Sequence, residues 1–220
     1  EKSNENLQEY AHVVSHDLKS PLRSIDALIS WIKEDNVGNL NDTTLENFQM
    51  IEKTLEKMEG LISDVLAYSS VGANVQLNGQ VNIQELVNDL LEVMYTPEHI
   101  KINTKEMLPT LSGDKVKLQQ VFQNLLSNAI KFCDKEEGIV SIGCKDIGGY
   151  YEFSVTDNGI GIEKVYFDKI FEIFNSLEER KDSSGIGLSI VKKIVELHHG
   201  RVWLESTFGE GTTFYFTLKK

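Results

Sequence analysis

SHDLKSPLRSIDALISWI, residues 15–32, decides how the first third of the chain is read. Leu18, Pro21, Ile25, Leu28 and Ile32 recur at gaps of three and four, and the series runs upstream through Val14, Ala11 and Leu7. That spacing is a heptad seam, widened by Leu22 and Ile29 into the broader stripe of a helix in a bundle. The helix is expected to stop near Asn36 and Gly38. Thr43 and Glu46 then have capping-box spacing, and a second apolar series follows at Phe48, Ile51, Leu55, Met58, Ile62 and Val65. Two amphipathic helices make a hairpin that cannot bury both stripes alone, so a homodimer packed as a four-helix bundle is expected.

On this seam His16 takes the outermost heptad position and faces water. Pro21 removes the N–H that would bond the carbonyl of Asp17, a defect of about 3 kcal/mol in a regular helix, so a kink is expected one turn beyond the histidine. The segment alone leaves two readings open: a bend without chemical consequence, or a loosened turn that lets a reactive ring reorient.

The chain has 220 residues, 40% of them hydrophobic, enough for one large or two modest domains. No apolar run reaches the length of a membrane helix and no leader is visible, which points to the cytoplasm. The formal charge of −12 argues against nucleic acid or an anionic membrane as a partner. Cys133 and Cys144 lack metal-ligand or CxxC spacing and read as reduced thiols.

Between residues 69 and 79 the periodicity lapses into SSVGANVQLNG, the composition of a linker. Beyond it the pattern predicts helices over 82–94, 115–132 and 187–198 and strands over 100–104, 138–145, 150–156, 201–206 and 212–218. Gly148-Gly149 marks a hairpin turn between the second and third strands. Helices segregated from a mixed sheet give an α+β sandwich.

Three glycine-containing motifs bear on chemistry: DNGIGI at 157–162, SSGIGLSI at 183–190 and FGEGTTF at 208–214. A glycine turn feeding a helix start presents N–H donors to phosphate, although each motif taken singly is equally a tight turn. On the helix NLLSNAIKF, Asn124, Asn128 and Lys131 share one face. Carboxamide oxygens suit Mg²⁺, an ammonium suits phosphate, and Phe132 is placed to lie against a base. The bland alternative is a solvated helix face.

SHDLKSPL, NLLSNAIKF, DNGIGI, FEIF, GIGL and GEGTTF, in this order and at these intervals, resemble the dimerisation and catalytic domains of sensor histidine kinases over essentially the whole chain. The resemblance implies a dimerisation and phosphotransfer domain over 1–68, a linker over 69–79 and a catalytic ATP-binding domain over 80–220. It makes His16 the phosphoacceptor, attacking the γ-phosphate of ATP, with Asp17 assisting the ring. Neighbouring helical positions lie about 100° apart, so Asp17 must reach round to do so. Asp157 would read the adenine amine, and Asn128 would hold Mg²⁺ with Asn124 nearby. Lys131 would meet phosphate, and Gly159, Gly161, Gly185 and Gly187 would give backbone room. Phe132, Ile162, Ile186, Leu188 and Thr213 complete the implied nucleotide site.

Residues 163–184 would be the lid over ATP, anchored by Phe171 and Phe174, with Arg180 or Lys181 reaching the phosphates. The family often has a further glycine where Ser183 stands, so a slightly stiffer lid is expected. Ser20, four residues after His16, stands where the family carries a threonine or asparagine linked to phosphatase activity, which leaves that activity open. Also implied are a response-regulator receiver domain as the second acceptor and an upstream sensor continuing into the first helix. The chain would then be the output half of a longer protein, free in the cytoplasm or the cytoplasmic part of a membrane-bound sensor.

Two other functions compete. ATP-hydrolysing clamps such as DNA gyrase and heat-shock chaperones carry a glutamate one helical turn before the Mg²⁺ asparagine; here that position is Asn124, which is no base. A degenerate signalling scaffold would have lost its acceptor or its adenine carboxylate, and both are present.

Overall fold

The computed structural model describes residues 2–71, 79–173 and 185–220, with only the backbone described for 2–14 and 16. Helix α1 (Lys2–Asp35) runs as one element through Pro21. It ends where expected, and Gly38 turns the chain at φ +80°. Helix α2 (Asp42–Ser70) starts differently from the reading at Thr43. Its N-cap is Asn41, whose side chain accepts the N–H of Thr44 at 2.8 Å.

The apolar stripes divide into two rows. Ser15, Leu22 and Ile29 on α1 are buried, each seven residues from the next. Leu22 and Ile29 pack on Leu55, with Phe48 and Ile62 beside them, again at intervals of seven. On α1 the residues read as the seam lie outside this contact, with Leu28 51% exposed and Leu18, Ile25 and Ile32 exposed with it; on α2 the series divides, Phe48, Leu55 and Ile62 making the contact while Ile51, Met58 and Val65 are exposed. A hairpin with one partner helix per helix buries one row only. Lys33 pairs with Glu52 at 2.9 Å and Lys19 donates to Ser63 at 2.9 Å across the hairpin.

Both ends of the stretch read as linker belong to regular elements. α2 continues to Ser70, and Val71, 2% exposed, packs into the core of the second domain. Strand β1 (Gly79–Asn82) pairs antiparallel with β3 (Thr110–Gly113), a small ribbon that the sequence reading missed. Neither GQVN nor TLSG is long enough to show alternation.

Helices α3 (Ile83–Val93), α4 (Lys115–Lys131) and α5 (Gly187–Leu197) share one core with a five-stranded sheet. Its strands are β2 (Ile100–Thr104), β4 (Gly138–Asp146), β5 (Tyr150–Asp157), β6 (Val202–Thr207) and β7 (Gly211–Lys219), in the order β2-β4-β5-β7-β6. β2 and β4 are parallel and the other pairs antiparallel. At the centre, the Phe122 ring meets Phe153 and Phe216 edge-on at 5.7 and 5.5 Å, and those two stack at 5.1 Å. Among the described residues no helix is long and apolar enough to cross a membrane.

Two contacts hold helix ends together. Asp114 caps α4 by accepting the N–H groups of Val116 and Lys117. Its own N–H donates to Nε2 of His198, whose Nδ1 lies 2.8 Å from the carbonyl of Ile194. That pairing needs a neutral ring protonated on Nδ1, and burial pushes the His198 pKa down. From the middle of α5, Lys193 donates to the carbonyl of Tyr68 at 2.9 Å and lies 4.3 Å from the Tyr68 ring centroid. An ammonium there satisfies a carbonyl at the C-terminus of α2 and complements that end of the helix dipole.

Candidate nucleotide site and phosphoacceptor helix

The face of α4 that avoids the core carries Asn124, Asn128 and Lys131, because Leu125, Leu126 and Ala129 take the buried side. Asn124 Nδ2 donates to Gln120 O at 2.9 Å. Its Oδ1 faces Gly187, where an added Cβ would stand 2.9 Å away. The start of α5 therefore sits directly against the asparagine face.

DNGIGI leaves β5 and is sewn onto its neighbours by backbone. The N–H of Ile160 donates to Phe132 O at 3.1 Å, and a Cβ on Gly159 would lie 2.4 Å from that same oxygen. Gly161 holds φ +69°, and a Cβ on it would lie 2.2 Å from Thr207 O. These two glycines make room for neighbouring backbone carbonyls, and Gly161 also lines the cavity described below. Asn158, which the sequence reading passed over, anchors the loop to the start of β4. It accepts from Ile139 N at 2.8 Å and donates to Glu137 O at 2.9 Å.

Asp157 ends β5 with Oδ1 accepting the N–H of Gly159 at 2.9 Å and of Thr212 at 3.3 Å. Burial raises its pKa, and the two backbone donors oppose that rise. A carboxylate fixed in this way at the end of a cleft is a specific acceptor, held before any ligand arrives.

These elements enclose a cavity of about 740 Å³. Asn124, Asn128, Lys131, Phe132, Asp157, Gly161, Ile162, Gly185, Gly187 and Leu188 line it, as does the face of α2 that carries Lys57, Gly60 and Asp64. A space of this size with an apolar lining and a few fixed polar groups suits a small organic ligand such as a nucleotide.

Three expected residues do not line the cavity. Gly159 stands behind Asp157. Ile186 is fully buried in the core. Thr213 Oγ1 donates to Thr156 Oγ1 at 3.1 Å, on the other face of the sheet. The register of β7 puts Thr212 and Phe214 on the cavity side instead. That alternation was legible from the inward run Phe214, Phe216, Leu218. Tyr166 and Ile170, on short 3₁₀ turns (Lys164–Tyr166 and Lys169–Phe171), also line the cavity and were missed. Phe171 packs edge-on against Phe214 at 6.4 Å, as an anchor of that segment should. Phe174, Arg180, Lys181 and Ser183 lie outside the described residues, as does the side chain of His16. The backbone of His16 is helical within α1, and Asp17 and Ser20 are exposed there, away from the cavity lining.

No group of three or more His, Cys, Asp or Glu suited to a metal occurs among the described residues. The Asn124 and Asn128 oxygens nonetheless fit Mg²⁺, which keeps several waters and takes few protein ligands when substrate phosphates supply the rest.

Residues 113–220 match the family model of histidine kinase-, DNA gyrase B- and HSP90-like ATPases, the class that this sheet and cleft define. Residues 6–74 match the His Kinase A (phospho-acceptor) domain, and with both domains in one chain the protein belongs to the sensor histidine kinases. It is 37% identical over its whole length to cyanobacterial phytochrome B of Nostoc sp., covering 30% of that protein. It is 33% identical to the methanogenesis regulatory histidine kinase FilI of Methanothrix harundinacea, over 99% of this chain and 25% of that one. The crystal structure of full-length ShkA in complex with AMPPNP superposes with a TM-score of 0.73 at 26% identity, over 96% of this chain and 46% of that one. The chain thus spans about a third or less of the length of these two curated relatives.

Proposed function

We propose that the chain is an ATP-dependent autophosphorylating protein histidine kinase, with 1–68 as dimerisation and phosphotransfer domain, 69–79 as linker and 80–220 as catalytic domain. The observation that carries this is the cavity closed between Asp157 and the Asn124–Asn128 face, in a chain whose first helix holds His16 beside Asp17. The adenine amine donates to Asp157, while Lys131 and the start of α5 receive the phosphates. Asn128, with Asn124 beside it, holds Mg²⁺, which when bound neutralises charge on the phosphates.

A ring nitrogen of His16 attacks the γ-phosphorus. The bond to the β–γ bridging oxygen breaks, ADP leaves, and Asp17 takes up the ring proton. The phosphoryl group then passes to an aspartate of a response-regulator receiver domain. Asn124, in the place of a hydrolytic glutamate, supports phosphotransfer over ATP hydrolysis.

The exposed row of Leu18, Ile25, Leu28, Ile51 and Met58 supports a homodimer, since a second copy would bury it in a four-helix bundle. An upstream sensor feeding α1 and a cytoplasmic setting complete the reading. Incubation with labelled ATP and Mg²⁺ is expected to leave acid-labile, base-stable phosphate on the chain. His16→Gln should abolish it, and labelling that survives this change would refute the assignment.

A further inference from the structure

Ser206, on β6, brings together the segments that wall the Asp157 end of the cavity. Its Oγ accepts the N–H of Ile162 at 2.7 Å and donates to the carbonyl of Gly211 at 2.8 Å. It also lies 2.9 Å from Oγ1 of Thr212. A serine hydroxyl carries one hydrogen. With that hydrogen on Gly211 O, the contact with Thr212 is made by the threonine's hydrogen, so Thr212 donates to Ser206. Thr212 Oγ1 is left with acceptor lone pairs only, and Thr212 lines the cavity.

The same strand places the N–H of Thr212 on Asp157 Oδ1, which already holds the N–H of Gly159. Oδ1 is thereby engaged twice, and Oδ2 is left to a ligand. The end of the cavity presents two acceptors of fixed polarity, one from Asp157 and one from Thr212. An exocyclic amine has two hydrogens to give. A purine with a carbonyl at that position would meet acceptor against acceptor.

We propose that Ser206 is a positioning and specificity-determining residue for the nucleotide. By orienting the Thr212 hydroxyl as an acceptor and pinning Ile162 at the root of the segment over the cavity, it sets the preference for a 6-amino purine. This rests on the reading of the cavity as an ATP site. Ser206 touches no substrate itself and acts through Thr212, with contact to the amine made directly or through one water.

The test compares, by titration calorimetry with Mg²⁺ on the whole chain, binding of ATP and of purine riboside 5′-triphosphate, which lacks the amine. Ser206→Ala is expected to weaken ATP by about threefold to tenfold, while the analogue changes by less than about twofold. Ser206→Thr keeps the hydroxyl and should restore most of the discrimination. Thr212→Val keeps the N–H on Asp157 and removes only the hydroxyl, so it should reproduce the loss; it decides the matter if Ser206→Ala does not fold. Equal weakening of both ligands, or discrimination unchanged in Ser206→Ala and Thr212→Val, overturns the role of Ser206 and leaves the ATP site standing. A wild-type chain that does not prefer ATP to the analogue overturns the ATP reading, and the role of Ser206 with it.

Discussion

The helical hairpin and the catalytic domain use apolar residues in opposite ways. In the catalytic domain the stripes of α3, α4 and α5 close onto the inner face of one sheet, and Phe122, Phe153 and Phe216 are fully buried. In the hairpin, Leu22, Ile29 and Leu55 are the buried cluster among the described residues, while Leu18, Ile25, Leu28, Trp31 and Met58 face outward. A sheet offers a broad surface to several helices. A pair of helices offers each other one narrow strip, so the hairpin leaves a second apolar face exposed, the one a second copy would cover under the proposed reading. The catalytic domain carries its own stability, and the hairpin borrows part of its own.

The most forceful way to break this comparison is at the centre of the self-sufficient core. Phe122→Ala should cost about 3–5 kcal/mol and unfold the catalytic domain first, read as an early denaturation transition with loss of nucleotide binding. Asp157→Asn removes a charged acceptor from the cavity without opening the core. It should weaken ATP by about 1.5–3 kcal/mol in calorimetry while the folding midpoint moves little.

On the hairpin side, Leu28→Asp places a charge in the exposed row. It should shift the chain from dimer to monomer in light scattering and leave the affinity for ATP unchanged. A still dimeric Leu28→Asp chain, or one that loses ATP, would erase the distinction between the two regions.

Two finer tests concern the joints. His198 has its pKa lowered by burial, so its stabilising contribution is full above the unfolded value near 6.5 and is lost as pH falls through the folded value. Denaturant midpoints should therefore drop between pH 7.5 and pH 5.5, and His198→Gln should flatten that part of the profile. Lys193→Met removes both the bond to the Tyr68 carbonyl and the ring contact between α5 and α2. It should loosen the end of α2 by about 0.5–1 kcal/mol, seen as faster amide exchange around residues 67–71 with little change in the global midpoint.

Much of the second domain was legible before folding, because its helices and most of its strands carry clean periods with Gly, Asn or Asp at their ends. Asn82 and Asp114 are such caps, and α3 and α4 begin beside them. The β1–β3 ribbon was not legible, since two strands of four residues acquire meaning only when paired. Among the site residues, the Asn124–Asn128–Lys131 face followed from helical spacing. Thr212 could have been read from the alternation of Phe214, Phe216 and Leu218, but Tyr166 and Ile170 could not, because which face of a short turn meets the cavity depends on what packs behind it.

The sequence by itself determined the order of motifs, the presence of two amphipathic helices and the chemistry available to the chain: a histidine beside an acid, a carboxamide face and an acidic turn. Periodicity and residue type are local properties, so one dimension suffices to read them. Only the tertiary structure decided which apolar row of each helix is buried, that Gly159 and Gly161 yield to the carbonyls of Phe132 and Thr207, and that Ser206 orients Thr212. Each of those depends on contacts between segments far apart in the chain, and such contacts exist only once the sheet and helices have closed on one another.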